Sequence, residues 1–214
     1  RRIDEELGGD AAYLELISAV RSRGGRVIME MIPPHVSQTH EWFQKALAGD
    51  AFYLDFFLST TMAPPGRLIK HDDGNVWIEY EGLSPVPSYR RLLLFPDLCR
   101  NHWHLHNVKK GGKTQKRWFY SSFFPFQKDL NLQNPHVLKK HLDTIGFWLA
   151  RGVSGFRADA VPWWIKPPGH SGQHAEETEL LCELFHAFVK SVDTEAVFLP
   201  ELVEDMATAI RYLG

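Results

Sequence analysis

The sequence predicts an α/β chain built on a parallel sheet and interrupted by a mixed α+β insert. Three observations carry this. Helix-like and strand-like apolar patterns alternate at both ends of the 214 residues, in the order helix, strand, insert, helix, strand, helix, strand, helix. The run Arg26-Val27-Ile28-Met29-Glu30-Met31-Ile32 is apolar enough for a strand buried on both faces. Between residues 51 and 127, turn signals recur among short strand-like runs, and so long a stretch is too large for a simple connection. The organisation expected is therefore a first segment over 1–50, an insert over 51–127 and a last segment over 128–214.

Each element has a local reason. Ala11, Leu14, Ile17, Ala19 and Val20 recur at helical spacing, which predicts a helix over 10–23 with Asp10 as its cap and Gly24-Gly25 as its stop. The strand over 26–32 is closed by Pro33-Pro34. A second helix is expected over 39–48. Within the insert, the turns are Pro64-Pro65-Gly66, Asp72-Asp73-Gly74-Asn75, Ser84-Pro85-Val86-Pro87 and Gly111-Gly112, and Val76-Trp77-Ile78-Glu79-Tyr80 reads as a strand. Asn134-Pro135 open a helix that runs to about Arg151, where Gly152 ends it. Val153 to Asp159 reads as a strand with a polar tip. A helix over 176–191, a strand over 196–201 and the start of another helix towards Gly214 complete the chain.

The alternation places Asp159 and Glu201 at the ends of two candidate strands. In a closed (β/α) barrel, strand C-termini and the loops after them form the active face. A doubly wound open sheet would alternate in the same way, so the pattern alone does not choose between the two. No G-x-G-x-x-G follows a strand, which weakens a dinucleotide-binding reading.

Composition narrows the partners. With 44% hydrophobic and 23% charged residues the chain is an ordinary globular protein, and a net charge of −2 gives no electrostatic case for nucleic acid or an anionic membrane. No apolar run is long enough to span a bilayer. The two cysteines, Cys99 and Cys182, show no zinc spacing and make no disulfide framework, so thiols in a cytoplasmic setting are expected. The opening Arg1-Arg2-Ile3-Asp4 lacks an initiator Met and a signal-peptide core, so a start upstream of Arg1 is expected. Aromatics reach 13%. Each ring suits core packing, and those on loops also suit stacking against pyranose faces.

The chemistry rests on carboxylates. Arg157 and Asp159 lie two apart on a strand and point to the same side, so the guanidinium would hold the carboxylate ionised and oriented, as a glycosidase nucleophile requires. An ordinary strand-end ion pair would look the same. Glu201 follows the apolar run Val197-Phe198-Leu199, and a carboxyl emerging from apolar surroundings suits a proton donor, although many strands simply end in Glu. Two such acids on neighbouring strand tips are the pair that glycoside hydrolysis uses.

Here the chain resembles the α-amylase superfamily, glycoside hydrolase family 13, and in particular its oligo-1,6-glucosidase, trehalose synthase and amylosucrase-like members. Gly155-Phe156-Arg157-Ala158-Asp159-Ala160-Val161 is similar to the family's second conserved region. Phe198-Leu199-Pro200-Glu201 stands where the third supplies the acid/base Glu. Ile28 to Ser37, followed by His40-Glu41-Trp42-Phe43, resembles the first region. Gln127-Lys128-Asp129-Leu130-Asn131 resembles a Q-P-D-L-N segment that ends the family's inserted domain.

The resemblance implies part of a (β/α)8 TIM barrel, about strands three to five, with the inserted domain after strand three. It implies Asp159 as nucleophile, Glu201 as acid/base, and Arg157 and His35 as substrate-site residues. The third acid of the family would lie beyond Gly214. No cofactor is implied. Glu30 stands for the family's usual Asp, Pro34 for an Asn that often helps bind calcium, and Lys128 for a proline. Proline offers no side-chain oxygen, so no metal is expected at 33–35; the Lys128 exchange is expected to be without consequence.

Two other groups admit alternatives. His102, His104 and His106 alternate as on one strand face, which would suit zinc or simply a solvated edge of the insert. Trp163-Trp164 would line an acceptor subsite or pack beneath the barrel rim. The expected activity is hydrolysis or transglycosylation at α-glucosidic bonds of an oligosaccharide or disaccharide. The alternatives are a non-catalytic relative of the transporter heavy-chain type and a truncated product inactive by itself.

Overall fold

The computed structural model describes residues 2–82 and 85–212. In chain order the elements are α1 (Gly9–Arg21), β1 (Ile28–Met31), β2 (His35–Ser37), α2 (Glu41–Leu47), α3 (Ala51–Leu54), β3 (Ser59–Thr60), β4 (Gly66–Lys70), β5 (Val76–Tyr80) and β6 (Tyr89–Leu92). They continue with β7 (Trp103–Lys110), β8 (Lys113–Tyr120), β9 (Gln127–Asp129), α4 (Pro135–Leu149), β10 (Gly155–Ala158), α5 (Glu176–Val192), β11 (Val197–Pro200) and α6 (Met206–Ile210). Two compact units divide the chain: Arg1–Pro33 with Leu138–Val161 and Glu176–Gly214, and Pro34–Val137 with Pro162–Ala175.

The first unit holds a parallel sheet in the order β1-β10-β11. Gly155 makes the pairing with β11 possible: its φ is +153°, and a Cβ there would lie 2.2 Å from the Val197 carbonyl oxygen. Helix α5 buries Leu181, Phe185 and Val189, a stripe at i, i+4 and i+8. Ile145 and Trp148 of α4 join the core, and Tyr13 of α1 meets Trp148 edge-on at 5.4 Å. Asn134 caps α4 by accepting the His136 N–H, with Pro135 at the first helical position.

The second unit is a set of small antiparallel sheets: β2-β9, β3-β8-β7 and β4-β5-β6. Strand β5 turns Val76, Ile78 and Tyr80 inward, where they pack with Leu93. Strands β7 and β8 form a hairpin turned by Gly111-Gly112, both at positive φ. Phe43, Phe57 and Phe119 pack edge to face beside it.

Two buried cations hold residues 162–175 within this unit. Arg91, 5% exposed, lies over the Tyr89 and Tyr120 rings and donates to the carbonyls of Lys166, Pro167 and His170. The Lys166 ammonium meets Asp129 at 2.8 Å with both side chains sealed from solvent, and Ser122 donates its N–H and hydroxyl to the same carboxylate.

Several local expectations change. Helix α1 starts at Gly9 after Gly8, whose φ of +91° suits glycine, and Asp10 instead accepts the Ile3 N–H. His40 caps α2 through Nδ1, so that helix begins at Glu41. Strand β1 is not buried on both faces: Ile28 and Glu30 are exposed, because its only partner among the described residues is β10. Helix α6 ends at Ile210, and of the last residues only Leu213 and Gly214 lie outside the described ones. Ser84, in one of the expected turns, also lies outside them. Among the described residues no helix is long and apolar enough to cross a membrane.

Candidate active site

Strand pairing assembles the acids. Arg157 stands in register between Glu30 of β1 and Leu199 of β11. Past the strand ends the ladder continues, because Asp159 N–H donates to the Met31 carbonyl and Glu201 N–H to that of Ala158, each at 2.8 Å. Both acidic residues are therefore fixed by main chain at the C-terminal ends of adjacent parallel strands.

Their side chains converge on one guanidinium. Arg157 Nη1 contacts Glu30 and, at 2.8 Å, Asp159 Oδ1, while Nη2 contacts Glu201. The Ala160 N–H donates to Glu201 Oε2 at 3.0 Å. Asp159, Arg157 and Glu201 are partly exposed, so the cluster has access to solvent. Burial, then the charge and hydrogen bond of Glu201, push the Asp159 carboxyl above its ordinary range, against the pull of Arg157. Arg157 does pair with Asp159, as two residues on one strand face would, but its charge is divided among three carboxylates, one of them in contact with Asp159.

Glu30 as a member of the cluster was not read from the sequence. The available signal was its register, since Glu30 on β1 faces Arg157 on β10 once the strands pair in parallel. The apolar run before Glu201 does not bury it either: Leu199 is 48% exposed.

His35 belongs to the second unit, on β2 opposite Asp129 of β9. It is buried, 5.4 Å from the Phe123 ring, and its Nδ1 has no hydrogen-bond partner among the described residues. Burial lowers its pKa, helped by the charge of Lys166 and opposed by Asp129. Phe123 in turn lies 6.1 Å from the ring of Trp163, which is half-buried, whereas Trp164 is a core residue.

The histidine row runs into β7, which is an edge strand of its three-stranded sheet among the described residues. His102 is sealed between Tyr80 OH, 2.9 Å from Nδ1, and the Leu92 carbonyl, 3.1 Å from Nε2. His106 meets Phe43 and Phe119 edge to face, and His104 lies near Cys99. Burial pushes all three down to about 4; His102 is a buried packing group, while His104 and His106 are half-buried on that edge strand. Among the described residues no group of three or more His, Cys, Asp or Glu is arranged to hold a metal ion. Lys128, expected to be without consequence, is fully buried with no hydrogen-bond partner for its ammonium among the described residues, and burial pushes its pKa down to about 8.

A family model described as the alpha amylase catalytic domain matches residues 1–213. The chain belongs to the α-amylase family. It is a part of a family 13 catalytic domain. The trehalose synthase/amylase of Mycolicibacterium smegmatis is 29% identical over 98% of this chain and 31% of its own length. An amino acid transporter heavy chain of Mus musculus is 25% identical over 96% of the chain and 27% of its own length. The chain thus spans about a third or less of these curated relatives. The crystal structure of trehalose-6-phosphate hydrolase from Bacillus licheniformis aligns with a TM-score of 0.70 at 22% identity, over 99% of this chain and 35% of that one. That likeness carries the fold: the chain is part of a (β/α)8 barrel, with β1, β10 and β11 as three of its parallel strands.

Proposed function

We propose that this chain carries the nucleophile and the acid/base of a retaining enzyme that hydrolyses or transfers α-glucosyl groups of oligosaccharides or disaccharides. One observation supports it above others: Asp159 and Glu201 stand on adjacent parallel strand tips and meet at Arg157. The residue ranges 1–50 and 128–214 are then barrel segments and 51–127 an inserted domain. The free thiols Cys99 and Cys182 suit a cytoplasmic setting.

Glu201 gives its proton to the leaving oxygen while Asp159 Oδ attacks the anomeric carbon, so the glycosidic C–O bond breaks as the ester bond to Asp159 forms. Glu201 then takes a proton from water or an acceptor hydroxyl, whose oxygen displaces Asp159 with net retention. Before this, the sugar must replace the direct Asp159–Glu201 hydrogen bond, since retaining pairs work at about 5–5.5 Å. Arg157 orients the nucleophile, and His35 keeps the substrate-site role that its resemblance to the family's first region implies. The relatives, trehalose synthase and trehalose-6-phosphate hydrolase among them, favour α-glucosides. A non-catalytic role of the heavy-chain kind is less favoured, because both acids are present and face one another.

The test is turnover of maltose, sucrose, isomaltose, trehalose and starch by the complete protein. One substrate should be turned over with retained configuration, and Asp159→Asn and Glu201→Gln should each lower kcat on it by about 10³-fold or more. Undiminished turnover by Asp159→Asn would end its assignment as nucleophile.

A further inference from the structure

Glu201 is held by a group that no side chain supplies. Its two oxygens have different partners: Oε1 faces Arg157, and Oε2 accepts the main-chain N–H of Ala160 at 3.0 Å. A guanidinium on a long stem can swing aside when a sugar enters. An amide within the chain cannot, so Oε2 stays an acceptor.

The backbone at Ala160 guards that amide. Ala160 has φ +51°, and among the described non-glycine residues only His174 shares a positive φ. A residue with a Cβ occupies this region when its surroundings over-determine it. Both neighbouring directions are fixed here. Asp159 N–H is bound to Met31 on one side, and Ala160 and Val161 are buried at 6% and 0% exposure on the other. A side chain that refuses positive φ must therefore rotate the peptide plane carrying the Ala160 N–H.

We propose that the main-chain N–H of Ala160 is the positioning group of the acid/base: it keeps Oε2 as the accepting oxygen, so Oε1 alone carries and delivers the proton. This follows from carboxyl geometry, because an oxygen that accepts an N–H serves as the carbonyl end when the group is protonated. It rests on the double-displacement reading given above.

The test uses leaving-group dependence in the complete protein. A disaccharide needs its leaving oxygen protonated, whereas a 2,4-dinitrophenyl α-glucoside does not. Replacing Ala160 by L-lactate, which turns the amide into an ester and removes the N–H while keeping the side chain, should cost about 10²-fold in kcat/KM, which reports the bond-breaking first step, on the disaccharide and less than about tenfold on the dinitrophenyl glucoside. Ala160→Val should show the same split, and Ala160→Asn, whose side chain tolerates positive φ, should recover most of the disaccharide rate that Val loses. If Val does not fold, the lactate protein decides.

Equal losses on both substrates, or none, in the lactate protein would overturn the proposal. Glu201→Gln is measured alongside. If it keeps disaccharide turnover, the double-displacement reading fails; if it shows the split while the lactate protein does not, only the role of Ala160 fails.

Discussion

Arg157 serves three carboxylates at once, and that sharing governs Asp159. Glu30 draws on the same nitrogen, Nη1, that binds Asp159. Replacing Glu30 with Gln removes a competing negative charge, so more of the guanidinium's attraction falls on Asp159, and its raised pKa drops. A nucleophile must be ionised, so the acidic limb of the kcat/KM profile reports this group and should move to lower pH in Glu30→Gln. A limb that stays in place or rises would show that Glu30 does not compete for Arg157. At this scale the sequence made the pair Arg157–Asp159 readable, since two residues apart on a strand means one face. It left Glu30 and the Ala160 amide unseen, because these depend on which strand lies beside which.

At the scale of elements, main-chain ladders do the aiming. Parallel pairing of β10 with both neighbours sets Glu30, Arg157, Asp159 and Glu201 at one end of the sheet. The alternation of helices and apolar strands predicted such a sheet; β1, β10, β11 and α4 lie within the expected stretches, and α5 runs one residue past its own. Other contacts were not readable. Lys166 and Asp129 are 37 residues apart in sequence, and nothing local marks them as a buried ion pair. Replacing Lys166 with Met would leave Asp129 sealed with only the Ser122 donors, which costs about 3–5 kcal/mol. Urea unfolding of the complete protein should show that loss; a change below about 1 kcal/mol would mean that the carboxylate finds another partner. The double variant with Asp129→Asn should recover part of it, since no buried charge is then stranded.

For the whole molecule, the decisive feature is that β1 and β11 each pair with β10 alone among the described residues. Ile28 and Leu199, on these edge strands, are exposed, as is Ile32 just after β1. Open apolar edges template further pairing. The 214-residue chain expressed by itself should therefore self-associate, which light scattering after size-exclusion chromatography would register. A monodisperse monomer at micromolar concentration would contradict this.

The sequence by itself determined the class of fold, the position of the acids at strand ends and the family motifs, because each depends on residues within a few positions of one another. Only the tertiary structure decided that one arginine is divided among three acids, that burial and Glu201 outweigh it at Asp159, and that an alanine amide grips Glu201. Electrostatic effects and hydrogen bonds of that kind depend on distance in space, and strand pairing brings together residues that the chain keeps far apart.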